Sequence, residues 1–157
     1  MIGSRTASVP VGFDDFYRVE FERMARLAVV LTGDPAIGEE LAQEAFARVQ
    51  QRFGRVASPS AYTRQVVINL CKRPRVPVTR TGMTGNEGAA DPGDQAERVA
   101  MLDAVDRLPH RQRAVIVLRY FEDLTEAEIA QVLGCRPGTV KSLSSRALAQ
   151  LRKDIES

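Results

Sequence analysis

Apolar residues recur along this chain at three- and four-residue intervals and nowhere alternate as in a strand, so the pattern predicts helices throughout. Phe13, Phe16, Tyr17, Phe21, Met24, Leu27, Ala28 and Leu31 predict a first helix over 13–31, stopped by Thr32-Gly33. Asp34 then offers a cap and Pro35 a first helical position, opening a second helix with the stripe Ile37, Leu41, Ala45, Val49 and Phe53. Ser58-Pro59 repeats that signal. It starts a third helix through Tyr62, Val66, Ile68 and Leu70, which must end before Pro74.

Periodicity lapses over 74–94, where three Pro and four Gly predict a flexible linker. It resumes over 95–107 with Val99, Leu102 and Val105, breaks at Leu108-Pro109, and resumes over 111–121 with Val115, Ile116 and Leu118. The stretch 124–152 carries the densest local signals. Thr125 and Glu128 form a capping box, in which each side chain accepts the other's backbone amide. Ala127, Ile129, Ala130 and Leu133 give a short helix one apolar face, and Gly134 closes it. Pro137 opens another helix. Val140, Leu143, Ala147 and Leu151 mark its buried stripe, and Lys141, Ser142, Ser145 and Arg146 lie mainly opposite. Two helices so joined, the second polar and basic, predict a helix-turn-helix fit for a DNA major groove. The alternative is a helical hairpin whose basic residues are solvated surface.

The expected fold is therefore all-α, with two small helical domains joined by a flexible linker. The boundaries are a leader at 1–12, a first module at 13–73, the linker at 74–94 and a second module at 95–157. The chain stops five residues after Arg152, so no further C-terminal domain is expected. The first residues lack the apolar run of a secretory signal, and no stretch approaches the ~20 apolar residues of a membrane span. Cys71 and Cys135 are too few for a disulfide scaffold. A reduced, cytoplasmic protein is expected.

Net charge is only +2, but its distribution sharpens the picture. Residues 48–80 hold eight Arg or Lys and no Asp or Glu. Residues 81–128 hold five basic and ten acidic residues, and 129–157 five basic and two acidic. Two basic segments flanking an acidic one suit a protein that meets an anionic polymer at two separate places. Catalytic chemistry finds no footing. There is no glycine-rich phosphate loop, and His110 reads as a surface residue at a helix start. Glu39, Glu40 and Glu44 share a helix with nothing to complete a metal site. Neither a cofactor nor a metal is expected, nor an enzyme.

Three segments carry a family resemblance. They are LTGDPAIGEELAQEAFARV at 31–49, SPSAYTRQVVINLCKR at 58–73, and LPHRQRAVIVLRYFEDLTEAEIAQVLGCRPGTVKSLSSRALAQLR at 108–152. In order and spacing they resemble the bacterial extracytoplasmic-function (ECF) sigma factors, most of all the short actinobacterial SigE-like subfamily, over about residues 12–153. The resemblance implies an alternative sigma factor that binds RNA polymerase core and directs promoter-specific initiation. Glu40, Leu41, Gln43, Glu44 and Phe46 would meet the clamp helices of the largest subunit, and the flap of the second-largest subunit is a further expected contact. Asn69 would read the −10 element, with Arg64, Lys72 and Arg73 on phosphates, and the loop 53–60 would pocket a flipped base. Lys141, Ser142, Ser145 and Arg146 would face the −35 major groove, with Thr139 and Arg119 on backbone or flanking bases. The family also leaves room for an anti-sigma partner.

The chain departs from the family's pattern in three places. Val49-Gln50-Gln51 stands where a large aromatic is usual, Pro74 cuts the third helix short, and Leu143-Ser144 reverses a usual polar–apolar order. Two rival readings stay open at this level: a stand-alone helix-turn-helix regulator, and a degenerate paralogue that sequesters an anti-sigma factor.

Overall fold

Helix starts follow from side chains that accept the otherwise free amides of a first turn. A computed structural model describes residues 12–72 and 91–156, and every regular element among them is helical. Helix α1 spans Phe13–Thr32 and ends on Gly33, whose φ of 78° is left-handed. The Asp34 carboxylate accepts from the amides of Ala36 and Ile37 and starts α2, Pro35–Arg52. A short 3-10 turn, Phe53–Arg55, leads to Ser58, whose hydroxyl accepts from the Ala61 amide and starts α3, Pro59–Leu70. The second half holds α4, Pro92–Asp106; α5, His110–Tyr120; α6, Glu126–Leu133; and α7, Pro137–Glu156.

Most boundaries match the sequence reading, and α4 corrects it. It begins at Pro92, inside the predicted linker, because proline suits a first helical turn and Asp91 is extended before it. The rest of that linker, 74–90, lies outside the described residues, as do leader residues 1–11.

The core of the first half is aromatic. Phe46 of α2 is 1% exposed and lies 5.2–5.6 Å, centroid to centroid, from the rings of Phe16, Tyr17 and Phe21 of α1. Phe13 and Phe53 close the cluster. α2 comes close to α1 at Gly38, where an added Cβ would sit 2.7 Å from the Val29 backbone, so only glycine fits. Ile37, expected in the stripe, lies at its margin and is 36% exposed, whereas Ala42 and Phe46 are buried.

The second half is built on aliphatic side chains: Val115, Val117, Leu118, Ile129, Val140 and Ala147 are all at most 2% exposed. The buried face of α6 is Ile129, Ala130 and Val132, while Ala127 is exposed. His110 is half-buried rather than a surface residue.

The halves also pack on each other, α1 against α4 and α5, and α3 against α6. Arg113 of α5 is 8% exposed. Its guanidinium donates across this seam to the Leu31 carbonyl of α1 at 3.0 Å. It also donates to the carbonyls of Val105, Asp106 and Leu108 at 3.3, 3.1 and 2.7 Å. A buried guanidinium is tolerable because its fork of donors is taken up by main-chain acceptors.

Candidate nucleic-acid interface

The helix-turn-helix forms as its local signals require. The Thr125 hydroxyl accepts from the Glu128 amide at 3.1 Å, and the Glu128 carboxylate accepts from the Thr125 amide at 2.8 Å. These bonds from Thr125, its backbone amide first, hold the Glu128 carboxyl below its ordinary pKa. Gly134, at φ 69°, closes α6 and turns the chain toward α7.

On α7, Val140, Leu143, Ser144, Ala147 and Leu151 are buried, and Lys141, Ser142, Ser145 and Arg146 are exposed together on the opposite side. Leu143 and Ser144, each 8% exposed, sit at the two margins of the buried stripe, so the reversed pair leaves the basic face facing outward. Thr139 is half-buried in the first turn, its amide bonded to the Arg136 carbonyl at 2.9 Å. Arg119, at the end of α5, is paired with Glu126 at 3.3 Å and lies 6.0 Å from the Tyr120 ring centre. Both groups of that pair stay partly exposed, which makes it a weak restraint.

The residues expected at a −10 element part company. Asn69 and Lys72 are exposed at the end of α3, and Arg73 lies outside the described residues. Arg64 is five residues before Asn69, roughly 140° around the helix, and it faces the second half. Its Nε donates to Glu122 Oε1 at 3.0 Å, with the two side chains 13% and 7% exposed. The loop 53–60 does not present Phe53, whose ring is 5.4 Å from Phe16 in the core. Its far end, with Tyr62, lines a cleft of about 380 Å³ whose other wall is Leu124, Glu128, Gln131 and Val132.

The expected polymerase face needs a correction. Glu40 and Gln43 are exposed and Glu44 is half-buried beside Arg48 at 2.8 Å. Leu41 and Phe46 are 5% and 1% exposed and belong to the core. At 3.6 residues per turn, positions 40, 43 and 44 share one side of α2, while 41 and 46 fall toward α1.

One surface has no counterpart in the sequence reading. Tyr120, Phe121 and Met101 are 60%, 57% and 43% exposed. They edge an apolar groove of about 300 Å³ floored by Leu102, Val105 and Leu148. The available signal was Tyr120-Phe121 itself, two large apolar residues past the end of the α5 stripe. Among the described residues no group of acidic, His or Cys side chains could hold a metal ion, and no helix is long and apolar enough to cross a membrane.

Comparison with known proteins agrees with this geometry. A family model for sigma-70, region 4, matches residues 98–151, which contain α5, α6 and most of α4 and α7. The RNA polymerase sigma-E factor of Streptomyces avermitilis is 33% identical over 153 residues, covering 92% of this chain and 86% of that protein. The sigma-E factor of Streptomyces coelicolor is 32% identical over 153 residues, covering 91% and 85%. The sigma factor RpoE from Bartonella quintana, crystallised with the anti-sigma factor NepR, shares the fold. Its TM-score is 0.70 at 17% identity, over 92% of this chain and 96% of that one. A helix-turn-helix with an open basic face, set behind a three-helix module and similar to these proteins over nearly its full length, places the chain in the RNA polymerase sigma factors, as an ECF member of sigma-E type.

Proposed function

We propose that this sigma factor binds RNA polymerase core in the cytoplasm and reads promoters at two points, without catalysis of its own. The observation that carries the reading is the exposed face Lys141, Ser142, Ser145 and Arg146 on the second helix of the helix-turn-helix. In a major groove, Arg146 and Lys141 donate to guanine acceptors or phosphates, and Ser142 and Ser145 reach either. Thr139 and Arg119 border that face and take backbone or flanking bases. Asn69 hydrogen-bonds a −10 base edge from its amide, and Arg64, Lys72 and Arg73 hold phosphates of the separated strand.

The two readers divide the chain into modules at 13–73 and 92–157, the segment between them setting the promoter spacing. Glu40, Gln43 and Glu44 form the acidic face offered to the clamp helices, with Leu41 and Phe46 supporting it from inside. The groove edged by Tyr120, Phe121 and Met101 suits the apolar side of a flap helix. An anti-sigma factor would compete for these same surfaces.

Transcription with purified core polymerase on a template pool randomised at −35 and −10 tests this. The expected result is co-elution with core and selection of a defined promoter pair. Failure of both overturns the reading. Within it, Arg146→Ala lowers discrimination between selected and scrambled −35 sequences by about 1–3 kcal/mol. Arg119→Ala weakens both evenly. Replacing Asn69 lowers permanganate reactivity at −10 more than −35 binding.

A further inference from the structure

We infer that Glu122 closes the free sigma factor on itself by occupying Arg64 in place of a DNA phosphate, so that this phosphate contact of the −10 surface is withheld while Asn69, Lys72 and the −35 surface stay open. This rests on the assignment of α3 to the −10 element above.

Glu122 lies in the turn between α5 and α6, and the main chain fixes where it points. Its amide and that of Phe121 both donate to the Val117 carbonyl, at 3.2 and 2.9 Å, and the Leu124 amide donates to Leu118 at 3.0 Å. Asp123 between them is left-handed, at φ 55°, a conformation Asp adopts more readily than most residues. The carboxylate is thereby carried into the first half. There it meets Arg64 of α3 at 3.0 Å and Arg23 of α1 at 4.0 Å. Arg23 is held in turn by Glu20 at 3.0 Å, and the Ser60 hydroxyl donates to Glu20 at 3.1 Å. One acidic group of the second half thus sits between two arginines of the first.

A guanidinium binds carboxylate and phosphate with the same planar donors, so Glu122 is chemically a tethered competitor for a nucleic-acid phosphate. Tethering raises its effective concentration without further contacts. The same seam borders the neighbouring loop: Val56, Ala57 and Tyr62 line one wall of the cleft, and Leu124 and Gln131 the other. A buried ion pair is a suitable latch because its attraction is offset by desolvation. It can therefore yield when polymerase takes hold of the two halves separately. On α7, by contrast, Lys141 and Arg146 are exposed.

The test uses the full chain with Glu122→Gln, Glu122→Arg, the reversed pair Arg64→Glu with Glu122→Arg, and Glu97→Arg as a control for charge on an exposed part of α4. Three quantities are read: helix content by circular dichroism, radius of gyration by small-angle scattering, and affinity for a fluorescein-labelled, mixed-sequence single-stranded DNA. Glu122→Gln and Glu122→Arg are expected to enlarge the radius. They should also tighten binding of that DNA about tenfold, the scale of one close charge pair, and beyond any gain from Glu97→Arg. The reversed pair should recover the compact radius without the gain in DNA binding.

A folded Glu122→Arg protein with wild-type radius and wild-type DNA affinity overturns the inference. Expansion without a DNA gain beyond the control overturns the masking, and points to the assignment of α3 rather than the contact as the error. If Glu122→Arg loses helix content, the reversed pair decides. Recovered fold and radius support the latch, and no recovery refutes it.

Discussion

The two halves of this sigma factor bury their cores in different ways. In the first, the rings of Phe13, Phe16, Tyr17, Phe21 and Phe53 gather around Phe46 or next to it. In the second, Tyr120 and Phe121 lie on the surface, and the core is a layer of Val, Leu, Ile and Ala. A ring cluster concentrates stability in one side chain, whereas an aliphatic layer spreads it. Aromatics left outside such a layer are available to a partner.

Substitutions at matching depth would break or sharpen that contrast. Phe46→Ala is expected to cost about 4 kcal/mol by removing the ring that touches four others, measured by urea unfolding. Leu118→Ala, equally buried in the second half, should cost about 3 kcal/mol. A larger loss at Leu118 than at Phe46 would contradict the distinction. Arg113→Ala, at the seam, should cost about 2 kcal/mol, because carbonyls from both halves lose a charged donor. It should also separate the unfolding of the two halves in a calorimetric scan.

Replacing Tyr120 and Phe121 together by Ser should change stability by no more than about 0.5 kcal/mol while weakening co-elution with core polymerase. The smallest effect belongs to Glu128. Its carboxyl is held below the ordinary range in the folded chain, so its contribution is present above the unfolded carboxylate pKa and is lost as pH falls through the lower, folded value. Glu128→Gln should therefore flatten the acid limb of stability against pH slightly, and an unchanged limb would remove the capping box from the account.

Much of this was legible in the sequence because it is local. Asp34-Pro35, Ser58-Pro59 and Thr125 with Glu128 specify helix starts within four residues, and the structure places starts there. The basic face of α7 follows from spacing alone. Family resemblance puts Phe46 and Leu41 on a partner face because it marks a segment, while burial is decided by which side of α2 meets α1. The seam between the halves was illegible for a different reason. Arg64 and Glu122 are 58 residues apart, and Arg113 and Leu31 are 82 apart. No periodicity connects such positions, and a run of Arg residues reads the same whether its partner is a phosphate or a distant carboxylate. The apolar groove was likewise hidden, because helical spacing accounts for Val105 and Leu102 but gives no reason for Met101 and Phe121 to remain outside.

Two of the contacts across the seam differ in what heredity can do with them. Arg64 and Glu122 meet side chain to side chain, so loss of either can be repaired by a change at the other, and suppressor screens should return such reciprocal exchanges. Arg113 grips the Leu31 carbonyl, a group every residue at that position would supply. No substitution in α1 can answer its loss, so revertants of Arg113 variants should map to Arg113 itself or to distant stabilising sites. One joint between the halves is thus open to drift in pairs, and the other is fixed by the polypeptide backbone.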